Sequence, residues 1–237
     1  MASFSKHFSK SPVLLAVIHV DNEEQASENV DIAFNQGADG VFLINHSMSA
    51  GSLRDIYCKI RSARADEWIG LNFLGAPRVR LFNGLVPGDA SGVWTDNAGY
   101  GEAQDPLFVT KSLHEIRQNS KHAMKCLYFG GVSFKHQHDT DNIESACKAA
   151  SSCVPYVDVI TTSGTKTGEP PSVEKIIAMR QAIGKHPLAI ASGMTPENVH
   201  PFLPHVDAFL VATGISKSFT ELDPERVRAM AKIVHGT

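Results

Sequence analysis

Three stretches in the second half of the chain carry residues suited to holding an anion: Ser163-Gly164-Thr165-Lys166-Thr167-Gly168, Ser192-Gly193-Met194-Thr195 and Thr213-Gly214-Ile215-Ser216. Each follows a short apolar run. Glycine lets the backbone turn sharply and approach a ligand, and N–H groups at a helix start present partial positive charge to an anion. Three such segments in succession read as a phosphate cradle. Its candidate contacts are Ser163, Gly164, Ser192, Gly193, Thr213 and Gly214, with Lys166 as a point charge. The 163–168 segment is not a P-loop, because the order G-x-x-x-x-G-K-S/T is absent. Glycine and threonine ahead of Pro170-Pro171 also make an ordinary turn into a helix, so it is the repetition that favours phosphate.

A second set could move protons or orient a small polar ligand: His19, Asp21, Asn45, His46, Asn72, Asp96, Asn97, Lys135, His136, Thr161 and Thr162. Asp96 follows Gly92-Val93-Trp94-Thr95 and is placed to act as a carboxylate base or to bind ribose hydroxyls. Asp96, His19 and Lys135 are the candidate catalytic residues, and Asn45 and Asn72 join the cradle as substrate contacts. Any single Asn or Thr serves equally as a helix cap; as a set they favour a site. His19, Asp21 and His46 resemble a catalytic zinc set, but the spacing is not specific and Asp21 is also a ready N-cap. His136, His138 and Asp139 read as solvated loop residues. No metal or other cofactor is expected. No lysine faces the mouth from strand 6, and Lys125 lies at the wrong end of strand 5, which disfavours a Schiff-base aldolase.

These residues need a frame that presents strand ends together. Apolar runs centre near Leu14, Val41, Ile69, Val93, Cys126, Val157, Leu188 and Ala208, separated by 20 to 33 residues, enough each time for a strand, a loop and a helix. The runs are continuous rather than alternating, as in strands buried on both faces. Helical starts are expected at Asp21, near Ser52, from Asp139 to Ala150, at Pro171-Ser172-Val173-Glu174, and at Thr195-Pro196-Glu197, with proline in the first turn. Strands alternating with helices imply parallel pairing and right-handed crossovers, and eight units close most simply into a single (β/α)8 TIM barrel. The third unit is expected to be irregular, since Arg78 to Phe82 allow only a short helix before Pro87 and Gly88. Residues 96–109 form a long loop of the kind that often serves as a lid. In such a barrel the site lies at the C-terminal strand ends, commonly with phosphate at the loops after strands 7 and 8.

The 237 residues permit one barrel, here assigned to 13–237 after a flexible tail at 1–12. Hydrophobic content of 43% and charged content of 20% are ordinary for a globular protein. A net charge of −3 supplies no basic field for nucleic acid. No run is long enough to cross a bilayer, and Met1 to Ser11 lack the apolar core of a signal peptide. The four cysteines form no C-x-x-C pair and read as reduced thiols of a cytoplasmic protein. A homo-oligomer is left open.

Taken in order, Thr161-Thr162-Ser163-Gly164 with Thr167-Gly168-Glu169-Pro170-Pro171, Ala191-Ser192-Gly193-Met194-Thr195-Pro196-Glu197-Asn198-Val199, and Val211-Ala212-Thr213-Gly214-Ile215-Ser216-Lys217 resemble the BtpA/SgcQ family. Gly37-Ala38-Asp39-Gly40-Val41 with Asn45, and Ile69-Gly70-Leu71-Asn72-Phe73-Leu74, match its first half. The resemblance runs over roughly residues 13 to 234. It implies a TIM barrel of the ribulose-phosphate-binding type, in a family associated with photosystem I biogenesis, some of whose members carry phosphoribosyltransferase labels. The family's glycine- and proline-rich turn after strand 1 is His19-Val20-Asp21-Asn22 here, and Ile44 stands where an acidic residue is usual. The phosphate side is intact while the reacting half differs. The expected partner is a phosphorylated small molecule, a ribose phosphate or a nucleotide, undergoing phosphoribosyl transfer, isomerisation or glycosidic-bond chemistry. The alternative is a non-catalytic accessory or assembly factor.

Overall fold

The computed structural model describes residues 3–120, 123, 125–137 and 140–237. Eight parallel strands close into a barrel in sequence order: β1 (Val13–Val20), β2 (Gly40–Asn45), β3 (Ile69–Asn72), β4 (Gly92–Thr95), β5 (Leu127–Gly131), β6 (Val159–Thr162), β7 (Leu188–Ala191) and β8 (Ala208–Val211). The helices are α1 (Phe4–His7), α2 (Glu23–Asn35), α3 (Ala50–Ala63), α4 (Arg78–Arg80), α5 (Phe108–Gln118), α6 (Ile143–Cys153), α7 (Val173–Ile183) and α8 (Pro224–His235). Strand residues are buried on both faces, which is why their sequences are continuously apolar. One set of side chains packs against the helices. The other fills the barrel, where Phe42, Trp68, Trp94, Phe129 and Phe134 meet edge to face at centroid separations of 5.1 to 6.2 Å.

A repeated device holds the N-terminal end of the barrel. The residue just before each even strand accepts the first or second backbone N–H of the odd strand beside it. Leu14 N donates to Asp39, Ile69 N to Ser91, Tyr128 N to Asp158 and Leu188 N to Asp207, at 2.8 to 3.1 Å. A basic side chain braces each acceptor: His235 and Lys10 at Asp39, Arg61 at Ser91, Arg117 at Asp158 and Arg180 at Asp207. These side chains satisfy donors that would otherwise be orphaned at a strand start.

Several local expectations are corrected. The tail expected at 1–12 contains α1 and seats Phe8 on Trp68, centroids 5.3 Å apart, because the lower barrel opening would otherwise leave that indole uncovered. Helix α2 is capped by Asn22 rather than Asp21, and α3 by Ser49 rather than Ser52. Helix α6 starts after Asn142, while Asp139 lies outside the described residues. Thr195-Pro196-Glu197 opens no α-helix: Pro201 and Pro204 limit this unit to a 3₁₀ segment, His200–His205. The third unit is irregular as expected, with α4 running into a π-type turn at Leu81–Leu85. No helix among the described residues is long and apolar enough to cross a membrane.

Candidate functional site

At the C-terminal end of the barrel a cavity of about 160 Å³ opens above a floor of Val17, Ile44, Trp94 and Leu210. His19, His46, Asp96 and Lys135 line one side of it. Ser192, Gly193, Thr213 and Gly214 line the other, joined by Thr167 and Gly168. Strand ends converge here because the barrel closes in register, so His19 and Ile44 are direct neighbours across β1 and β2.

On the first side, Asn72 Nδ2 donates to Asp96 Oδ1 at 3.1 Å. Burial raises the Asp96 pKa, opposed by the charge of Lys135 and by the Asn72 bond. Burial, with the neighbouring charge of His46, lowers His19 to about 4. Its Nδ1 donates to Phe219 O at 2.9 Å, leaving Nε2 as the acceptor. Burial and Lys135 also lower His46. The His19 and His46 rings meet edge to face at 4.7 Å, and Phe219 covers both. Lys135 is fixed through its backbone, whose N donates to Ser163 Oγ at 2.8 Å. Beneath it the buried Lys175 ties Ser133 O and Ser163 O together at 2.7 and 2.9 Å, and desolvation lowers its pKa to about 8. A carboxyl whose pKa burial raises, beside imidazoles whose pKa burial lowers, is a set able to give and take protons.

On the second side the loops after β6, β7 and β8 pack backbone against backbone. Ser192 adopts φ +90° and its Oγ accepts from Gly168 N at 2.9 Å. Gly193 has φ +74°, and a Cβ there would lie 2.7 Å from Glu169 O and closer still to Pro170 N. A Cβ on Gly214 would stand 2.9 Å from the Met194 carbonyl carbon and nearer to its oxygen. Only glycine allows these loops to meet so closely.

The structure gathers most, not all, of the residues named from sequence. Asp96, His19, Lys135, Ser192, Gly193, Thr213 and Gly214 line the cavity. Asn72 stands behind Asp96. Asn45 braces two loops instead, accepting from Leu74 N at 2.8 Å and donating to Met48 O at 3.0 Å. Ser163 is fully buried and donates to Gly164 O, while Gly164 packs under Glu169 and Pro170. Lys166 is 75% exposed beside Glu169, outside the cavity. From that loop Thr167 and Gly168 line the cavity, where the chain turns at Gly168 with φ +84°.

The long 96–109 loop contributes only Asp96. Asn97, Tyr100, Gly101 and Glu102 line a separate hollow with His136 and Gln137, and Arg78 pairs with Glu102. Phe219, on the hairpin after β8, covers the site instead. His46, named from the sequence as a strand-end residue, lines the cavity, whereas Phe219 was not named. The position of His46 one residue past β2 was a usable signal; an aromatic in a polar loop was not. Asp21 points away, and no group of three metal-ligating side chains occurs among the described residues. His138 and Asp139 lie outside them.

The model of the BtpA family matches residues 102–236. No curated protein matches the chain significantly. Among solved structures, (S)-3-O-geranylgeranylglyceryl phosphate synthase from Thermoplasma acidophilum, bound to sn-glycerol-1-phosphate, is similar over 100% of both chains, with TM-score 0.67 and 12% identity. Phosphoribosylanthranilate isomerase from Thermotoga maritima is similar over 95% of this chain and 100% of its own, with TM-score 0.65 and 16% identity. Orotidine 5'-monophosphate decarboxylase from Methanocaldococcus jannaschii gives 0.63 and 13%, over 95% and 100%. At these identities the likeness is one of fold.

Proposed function

The chain belongs to the BtpA family, and on that premise we propose that it is an enzyme acting on a small phosphate ester. The phosphate is held by Ser192, Gly193, Thr213 and Gly214, and the rest of the molecule lies under His19, His46, Asp96 and Lys135. The observation that carries this reading is the single cavity with glycine-rich loops on one wall and four titratable side chains on the other. Three similarly folded proteins are named for phosphorylated substrates, or were solved with one, which supports a ribose phosphate or a related sugar phosphate as the ligand class.

The chemistry best suited to these groups is proton transfer on the sugar carbons. Neutral His19 Nε2 withdraws a proton, Asp96 in its protonated form returns one to the developing oxygen or neighbouring carbon, and the Lys135 ammonium stabilises the enolate-like charge between them. Isomerisation follows directly from this, and glycosidic-bond cleavage or phosphoribosyl transfer would use the same acid. The test is Asp96→Asn, which keeps shape and removes the acid. In D₂O, proton NMR should report deuterium washed into a sugar phosphate by the wild type and about 10² to 10⁴ times more slowly by the variant, with ligand affinity retained. Equal exchange by both proteins would remove Asp96 from the mechanism.

A further inference from the structure

The loop between β8 and α8 turns back on itself. Ser216 and Leu222 form an antiparallel bridge, and Lys217 N and Ser218 N both donate to Glu221 O. At its tip Phe219 is 57% exposed, and its ring lies 4.2 Å from the His19 ring and 5.0 Å from that of His46, centroid to centroid. Its position is not left to that contact alone. From α2, Gln25 Nε2 donates to Thr220 O and to His19 O, Asn29 Nδ2 donates to Thr220 O at 2.9 Å, and Asn29 Oδ1 accepts from Leu222 N at 2.7 Å. Asn29 is buried, so these bonds are shielded from competing water.

We propose that the hairpin from Ser216 to Leu222 is the lid of this cavity, with Phe219 as its closing residue and Gln25 and Asn29 as the positioning residues that hold it down. The closed lid does two things to His19. Its backbone carbonyl at Phe219 accepts a hydrogen bond from Nδ1–H, which fixes the tautomer with Nε2 as the proton acceptor. Its ring excludes water from one imidazole face. The charged or titratable groups facing that imidazole are His46 from the loop after β2 and Lys135 from the loop after β5, with Asp96 beyond them across the cavity. A ligand enters only when the hairpin swings outward, and the Thr220 and Leu222 bonds to α2 are those that must break for it to do so.

The inference rests on this cavity being the ligand site, and the experiment separates the two. The His19 imidazole is titrated by NMR in the free protein, and inorganic phosphate is then added while the Gly193 and Gly214 amides are followed. Phe219→Ala should raise the His19 pKa by about one unit or more towards 6.5, Phe219→Tyr should leave it where it is in the wild type, and phosphate should exchange faster in the alanine variant. Asn29→Ala should raise the His19 value by less than Phe219→Ala does, because freeing the hairpin also removes the Phe219 carbonyl bond that raises it. If that variant fails to fold, the half-buried Gln25→Ala answers the same question. An unchanged His19 titration in Phe219→Ala overturns the lid, whatever phosphate does. If His19 responds as expected but no phosphate perturbs Gly193 or Gly214, the lid stands and the phosphate reading falls.

Discussion

Gly193→Ala separates the anion wall from the rest of the fold. Two effects combine at this position. The residue has φ +74°, where an L side chain costs on the order of 1 kcal/mol. In addition its Cβ would lie 2.7 Å from Glu169 O and closer to Pro170 N, against an ordinary contact of 3.4 to 4 Å. Both opposing atoms belong to backbone, so the loops after β6 and β7 must part by on the order of 1 Å. A shift of that size at a binding wall is enough to lose roughly 10²-fold in affinity or rate. Gly236→Ala is the control: φ is +69° in the left-handed helical region and nothing lies within 4 Å of the added methyl, so only the backbone cost applies. Isothermal titration with a sugar phosphate, beside thermal unfolding of both variants, reads the two effects separately. Both should lose about 1 kcal/mol or more of stability, and only Gly193→Ala should lose affinity. A folded Gly193→Ala protein with wild-type affinity would refute the assignment of the phosphate to this wall.

Two further outcomes follow from the same geometry. Asp158→Asn leaves the guanidinium of Arg117, 1% exposed, without its counter-charge and should cost about 3 to 5 kcal/mol in urea unfolding, whereas Asp207→Asn, whose Arg180 partner is 22% exposed, should cost about 1 kcal/mol; equal losses would show that the N-terminal braces are interchangeable. Because His19 is lowered to about 4 from 6.5, the unfolded chain takes up that proton first as pH falls, so the stability linked to it is complete above about 6.5 and is lost between there and about 4. Asp96, raised by burial, acts in the opposite sense just above its ordinary range, so the comparison to make is melting temperature against pH for wild type and His19→Gln. The variant should show the shallower slope through that window, and parallel curves would deny His19 its burial.

The frame was legible because parallel barrel strands are buried on both faces and so write themselves as unbroken apolar runs, from Leu14 to Ala208. Placing strands at Cys126 and Val157 ran a few residues early, since those two side chains are buried in the turns that precede β5 and β6. The glycine-rich wall of the cavity was legible for a related reason: Ser192-Gly193 and Thr213-Gly214 are at once the turns that follow β7 and β8 and the residues whose small size lets loops touch. At Ser163, Gly164 and Lys166 the same signal marks residues that do not line the cavity: the small ones pack beneath Pro170 and the lysine is exposed. Asn45 reads as a ligand contact in sequence and is a loop brace in space, because an amide satisfies either role. Phe219 carried no local signal, as its position over His19 depends on Gln25 and Asn29 nearly 200 residues earlier in the chain.

The central claim, that this barrel mouth binds a phosphate ester, is tested most directly by thermal unfolding against a panel of sugar phosphates, nucleotides and inorganic phosphate at fixed ionic strength. A ligand at 100 times its dissociation constant stabilises by about 2.7 kcal/mol, which for a domain of this size is a rise of about 5 to 10 °C. The account predicts such a rise for one class of sugar phosphate in the wild type and its loss in Gly193→Ala; a panel in which no phosphorylated compound shifts the transition would contradict it.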